Sequence, residues 1–277
     1  MTKITLSQRG GLLALLCVVL LSGCATSQGL KGTKEEGLRL ARLLRDQGRL
    51  EAASEVYARL DSRGKLDGGE LLEYASVAAP VRPPLQVLGL YGRARQQLGA
   101  STPPQTLAIC VGMGRAQLAL GRGQMAQQDF RCALDVAPNN ASALNGMGVV
   151  MDAAGRHDEA RALFDKALRS DPADVAALNN LALSWLNSGQ ADKAVSLLRS
   201  SELRHPSVKL NLALAYLYAG RDEDARGAIA SVAVPERIDG LVAELSRRAA
   251  DLRQSRGQGE ALLLASRQPL SLGEEKP

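Results

Sequence analysis

The stretch "AAGRHDEARALF" (residues 153–164) decides the fold. A Gly closes one apolar run, a short polar turn follows, an Ala stands five residues after the Gly, and a large apolar residue stands four further on. Gly is the residue that ends a helix most cheaply, because the left-handed conformation costs it least. The Ala fits where two helices cross too closely for a larger side chain, and Phe164 would fill the space beside it. One such stretch describes a single helix–turn–helix corner. Four others share its pattern: "RDQGRLEAASEV" (45–56, continued by Tyr57), "ALGRGQMAQQDF" (119–130), "NSGQADKAVSLL" (187–198) and "YAGRDEDARGAI" (218–229).

Recurrence at about 34 residues makes this a repeat array rather than one globular core. The units resemble the tetratricopeptide repeat, a 34-residue helix–turn–helix. The fullest copy is 141–174, with Leu144, Met147, Gly148, Met151, Ala160, Phe164, Ala167 and Pro172 at the signature positions. The copy at 107–140 supplies Cys110, Met113, Gly114, Ala126, Phe130, Ala133 and Pro138, with Gln117 as a departure. The next begins at 175 with Leu178, Leu181, Ala182, Trp185, Ala194 and Leu198 and runs about three residues short. A last copy from about 206 carries Leu212, Ala213, Tyr216, Ala225 and Ile229. Upstream, residues 34–101 hold two degenerate copies, with Pro80, Pro83 and Pro84 where a turn tolerates them. "STPPQ" (101–105) reads as a break before the main repeats of 107–235. The implied architecture is an all-α solenoid.

A solenoid exposes its last apolar face unless something caps it. Ile238, Leu241, Val242, Leu245, Ala249 and Leu252 fall on one helical stripe, so residues 236–253 read as a capping helix. Residues 254–277 read as a loose tail, with "EALLLAS" (260–266) as its apolar exception.

The first residues carry an export signal. Lys3 and Arg9 precede "GLLALLCVVLL" (11–21), an apolar run too short for an ordinary spanning helix. Leu21-Ser22-Gly23-Cys24 follows and resembles the bacterial lipoprotein signal. That resemblance implies cleavage between Gly23 and Cys24 and covalent acylation of Cys24, with residues 1–23 removed. An ordinary secretory signal cut nearby would leave Cys24 incidental, but position, spacing and neighbours favour the lipoprotein signal. Ala25 follows in place of the Asp that retains many such proteins in the inner membrane, so the resemblance points to the outer membrane, facing the periplasm. Residues 24–33, small and polar, read as a flexible tether between lipid and body.

Composition excludes several classes. The net charge is +5, falling to +3 without Lys3 and Arg9, with no long basic block and only eight aromatic residues. That argues against nucleic acid, which wants a basic stripe or a stacking platform. There is no Gly-rich phosphate loop with Lys, no HExxH helix and no CxxC pair, so the sequence offers no catalytic residues, no metal site and no cofactor beyond the lipid on Cys24. His157 and His205 are the only histidines, and both read as solvated turn residues. Trp185 reads as packing. Cys110 and Cys132 share one repeat, and an oxidising compartment permits a disulfide between them. Two separate buried or half-buried thiols are the preferred reading, since Cys132 neighbours the inward Ala133 and points sideways.

What is left is a surface. In tetratricopeptide proteins partners often lie along the concave face, on fixed positions of each first helix. Those positions hold Val111 and Arg115 in one repeat, then Asn145, Val149 and Asp152. Next come Asn179, Leu183 and Leu186, then Leu210, Leu214 and Leu217. The expected groove becomes apolar toward the C-terminus, and an exposed apolar patch marks an interaction site unless the capping helix or the tail covers it. A lipoprotein signal followed by tandem repeats and a cap resembles outer-membrane lipoproteins of pilus and secretion machines, by overall plan the TadD-like lipoproteins of tight-adherence (Flp) pili, with pilotins of type IV pili similar. The resemblance implies a scaffold that helps an outer-membrane secretin assemble or persist. A general envelope adaptor that recruits peptidoglycan enzymes or other assembly proteins is the alternative.

Overall fold

Each corner glycine of the repeat takes the conformation its position requires. Gly48, Gly121, Gly155, Gly189 and Gly220 all have φ between 73° and 76°. Around each, the amide of the following residue donates to the carbonyl five residues upstream of it, as Arg122 N does to Gln117 O and Arg156 N to Met151 O. This backward bond satisfies a carbonyl that the helix end would otherwise orphan.

The structure, a computed structural model, describes residues 33–254. They form thirteen α-helices and no strand. Six antiparallel pairs follow one another: α1 (Lys34–Asp46) with α2 (Leu50–Asp61), α3 (Gly68–Ala78) with α4 (Pro84–Leu98), and α5 (Pro103–Ala119) with α6 (Gly123–Val136). Then come α7 (Ala141–Ala153) with α8 (His157–Ser170), α9 (Val175–Asn187) with α10 (Ala191–Ser200), and α11 (Pro206–Tyr218) with α12 (Asp222–Ala230). The last helix, α13 (Pro235–Gln254), stands alone.

First helices start on side-chain caps. Thr33 and Asp67 form capping boxes with Glu36 and Glu70, and Asn140 and Asp174 accept from the amides of Ala143 and Ala177. Second helices need no such cap, because the glycine corner sets their direction. The pair α3–α4 lacks that corner glycine and turns instead through Ala79–Pro83, with Pro84 at the first helical position. "STPPQ" holds the end of the α4–α5 linker, Ser101 and Thr102, and the first turn of α5. Thr102 caps α5 with Gln105, and Pro103 and Pro104 open it, so this helix begins four residues before the repeat's expected start. Proline is suited there, since its missing N–H is one the first turn leaves unbonded anyway. The short repeat is short in α10, which has 10 residues against 14 in α8.

The crossing alanines Ala53, Ala126, Ala160, Ala194 and Ala225 are fully buried, and so are Tyr57, Phe130, Phe164, Leu198 and Ile229 beside them. Burial proceeds as successive clusters along the chain. One joins α1–α4 to Ile109 and Met113 of α5, one centres on Phe130 and Phe164, and one runs from Leu178 to Leu252. Neighbours stack on neighbours, which is the quasi-one-dimensional arrangement of a solenoid.

Candidate functional site: a divided groove

Of the eleven groove residues expected from sequence, five line an accessible surface. Val111, Asn145, Val149 and Asn179 are half-buried, and Arg115 is exposed. They form a continuous polar-and-apolar strip over α5, α7 and α9. Arg115 donates to Ser142 Oγ (3.1 Å), Asn180 to Asn145 Oδ1 (2.8 Å) and Asn179 to Ser207 Oγ (2.8 Å), so successive first helices are cross-linked along the strip.

The other six are corrected. Leu183, Leu186, Leu210, Leu214 and Leu217 are buried. A first helix ordinarily rests mainly on the second helix of the repeat before it, as α7 does on α6. Here α13 rests mainly on α11, keeps α12 beside it and reaches back to α9. Its stripe of Leu241, Leu245, Ala249 and Leu252 is buried against them, and Arg253 Nη2 donates to Leu217 O (2.9 Å). The apolar C-terminal part of the groove is therefore occupied by the chain's own helix.

Asp152 is the sixth. It is 0% exposed and turns inward. Its carboxylate accepts from Ser184 Oγ, lies 3.0 Å from His157 Nδ1, and has Asn187 Nδ2 at 3.4 Å. His157 is thus the partner of a buried carboxylate at the start of α8, and not a solvated turn residue. A buried carboxylate is costly unless its lone pairs are filled, and three donors from α8 and α9 fill them. Ser, His and Asp meet here, but the carboxylate sits between the other two. The Ser184 hydroxyl gives its hydrogen to Asp152, so no imidazole is placed to activate it, and the group is a structural tie between repeats. Beside it Arg161 lies 4.1 Å from the Trp185 ring centroid, with Lys193 at 4.3 Å, so Trp185 packs between two cations. His205 caps α11, accepting from Ser207 N.

The groove continues toward the N-terminus beyond the residues expected to line it. A pocket of about 440 Å³ is lined by Arg45, Leu50, Leu72, Glu73, Ser76 and Val77, among others. Leu72 and Ser76 hold in α3 the register that Val111 and Arg115 hold in α5. In the repeat before, Arg45 holds in α1 the groove position that Asp152 holds in α7 and Leu186 in α9. On one wall, Glu73 receives Arg42 through two bonds of 2.9 Å and the Tyr57 hydroxyl at 2.8 Å. Burial opposes ionisation of Glu73, but these hydrogen bonds outweigh it and hold its carboxyl below the usual range. Burial, and then the bond to Glu73, push the Tyr57 hydroxyl up.

Cys110 and Cys132 are joined by a disulfide that ties α5 to α6, with their Cα atoms 6.0 Å apart. Cys110 is buried in the cluster around Phe130, and Cys132 lies at its edge.

Two family profiles described as tetratricopeptide repeat match the chain, over residues 111–175 and 153–207. A solved tetratricopeptide repeat protein from Parabacteroides merdae is similar with a TM-score of 0.61 at 18% identity, over 76% of this chain and 83% of that one. A chain of the APC/C hetero-tetramer Cut9–Hcn1 is similar at the same TM-score of 0.61 and 17% identity, over 77% of this chain and 42% of that one. The chain has the tetratricopeptide-repeat fold, and its residues 111–207 match the profiles of that repeat. By sequence, no curated protein matches it. A tetratricopeptide-repeat solenoid of this kind suits protein–protein interaction, and its accessible groove runs from the pocket beside α1 to Asn179.

Among the described residues no helix is long and apolar enough to cross a membrane, and no group of three His, Cys, Asp or Glu is placed to hold a metal ion. Gly23, Cys24, the tether up to residue 32 and the apolar segment 260–266 lie outside the described residues.

Proposed function

We propose that this protein is a lipid-anchored scaffold of the outer membrane, acylated on Cys24 and facing the periplasm, that holds a segment of a protein partner in the N-terminal part of its groove. One observation carries the reading: the groove is filled by α13 at the end far from Cys24 and open at the end near it. A partner held there sits close to the membrane. The pocket suits an apolar side chain, received by Leu50, Leu72 and Val77 with Arg45 and Glu73 at the rim. Following the likeness to TadD-like lipoproteins, the partner is a component of a tight-adherence (Flp) pilus, and the role is to help its secretin ring assemble or persist. The "LSGC" signal at 21–24 supports the anchor, and the repeats support the scaffold.

The test is genetic and uses two variants. Ser76 is exposed and lines the pocket, so Ser76→Arg fills its mouth and gives up only its hydroxyl's bonds to Leu72 O and the Tyr91 side chain. Deletion of the gene should remove heat-resistant secretin multimers from the outer membrane, and the parent gene should restore them. Neither Ser76→Arg nor an exported, folded Cys24→Ser should do so. Unchanged multimers and pili after deletion, with altered cell-wall turnover, would replace this reading with that of a general envelope adaptor.

A further inference from the structure

The two ends of the solenoid are not treated alike. The C-terminal end is covered by α13, whereas no helix among the described residues precedes α1. Helix α1 buries Leu38, Ala41 and Leu44 against the next helices. Its opposite side presents Leu40 at 39% exposure and Leu43 at 53%. These are neighbours one turn apart on the same face. The other large exposed apolar residues are scattered: Leu85 on α4, Met125 and Val136 eleven residues apart on α6, and Val234 in the linker before α13. A single exposed apolar residue needs no explanation, but a pair on one face of the first described helix of an array does.

We propose that the outward side of α1, through Leu40 and Leu43, lies against the lipid surface to which Cys24 ties the chain. The proposal rests on acylation at Cys24. Eight residues separate Cys24 from the α1 cap Thr33, and the nine steps between the two span at most about 30 Å. The helix itself, 13 residues, is about 20 Å long, so both leucines lie within reach of the bilayer surface whichever way the tether runs. Charge on this side is mixed, since Glu35 and Glu36 are both exposed and Arg39 stands beside them. The Glu36 carboxylate is folded back onto Thr33 N (2.8 Å), and Asp46 is paired with Arg45 (2.8 Å). Arg39 is exposed beside the leucines and suits an anionic headgroup. Two leucines make a weak membrane contact by themselves. Tethering turns it into an intramolecular event at high effective concentration, so a weak contact is enough to orient the body. That orientation sets the open pocket, which Arg45 at the end of the same helix helps to line, next to the membrane.

The test uses the full mature chain, purified from membranes and reconstituted in phosphatidylethanolamine–phosphatidylglycerol vesicles with brominated acyl chains. Leu43→Trp reports on the face, and Met125→Trp, also at an exposed site, is the control. The parent protein supplies the background of Trp185. Insertion to the headgroup–acyl boundary predicts quenching of Trp at 43 at least about twofold stronger than at 125. Leu40→Trp serves if Leu43→Trp misfolds. Equal quenching at the two sites, in a chain whose Cys24 peptide carries acyl groups by mass spectrometry, overturns the membrane face and leaves the anchor standing. A concentration-dependent blue shift at 43 without quenching assigns the face to a second copy and also overturns it. A Cys24 without acyl groups overturns both readings.

Discussion

Glycine acts in two ways in this molecule. At the five corners it supplies a left-handed backbone. At Gly146 the requirement is space instead: a Cβ there would lie 2.2 Å from Phe130 Cζ and 2.4 Å from its Cε1. Phe130 is fully buried and packed, so it has nowhere to move. Gly146→Ala should therefore destabilise by about 2–3 kcal/mol despite the better helix propensity of Ala. Phe130→Leu in the same chain should recover part of the loss, giving a coupling that a double-mutant cycle of urea melts would measure. Additive losses would mean that the ring and the glycine do not meet. The corner glycines were legible from sequence, since a chain reversal every 34 residues needs them. Gly146 was not, because its constraint comes from a ring sixteen residues away on another helix.

Helices are joined across repeats by a few polar ties. Arg42 of α1, Tyr57 of α2 and Glu73 of α3 meet at one carboxylate, so this tie locks the first repeat to the second. Glu73 has its folded-state ionisation shifted down. The stabilisation it gives is therefore fully present above the ordinary Glu range, near 4.5, and is lost as the pH falls through the lower folded value. Glu73→Gln should cost about 1 kcal/mol at pH 7, after allowance for the partial exposure of the group. Chemical denaturation at pH 7 and at pH 3 should show the gap between parent and variant shrinking at the lower pH. A constant gap would mean that the tie works by packing alone. The Asp152 tie between α7, α8 and α9 has the same form, but it sits where a groove residue was expected. The position looks identical in sequence whether its side chain turns outward to a partner or inward to Ser184 and His157, and only the neighbours decide.

At the scale of the whole molecule, the decisive event is the docking of α13. Without it Leu210, Leu214 and Leu217 would be an open apolar strip. Leu245 is 1% exposed, and Leu245→Arg would bury a charge in that interface. The variant should lose about 3 kcal/mol or more in stability, bind a hydrophobic dye and associate as its concentration rises. A monomeric, dye-silent variant would show that the strip is covered by something other than α13. The capping helix itself was legible from its stripe. Its reach across α11 to α9 was not, since an amphipathic period gives a buried face but no partner.

The sequence by itself determined the all-α repeat, its period and its corners. These rest on local chemistry: a residue that tolerates left-handed backbone, a small one at a crossing and a large one beside it, recurring down the chain. The tertiary structure alone decided which part of the concave face stays open. Burial there depends on where a distant helix comes to rest, and no local pattern encodes that position. The greasiest stretch of the expected groove was for that reason the part already filled, while the accessible part runs from the weakly patterned N-terminal repeats, beside the helix that follows the tether, to Asn179.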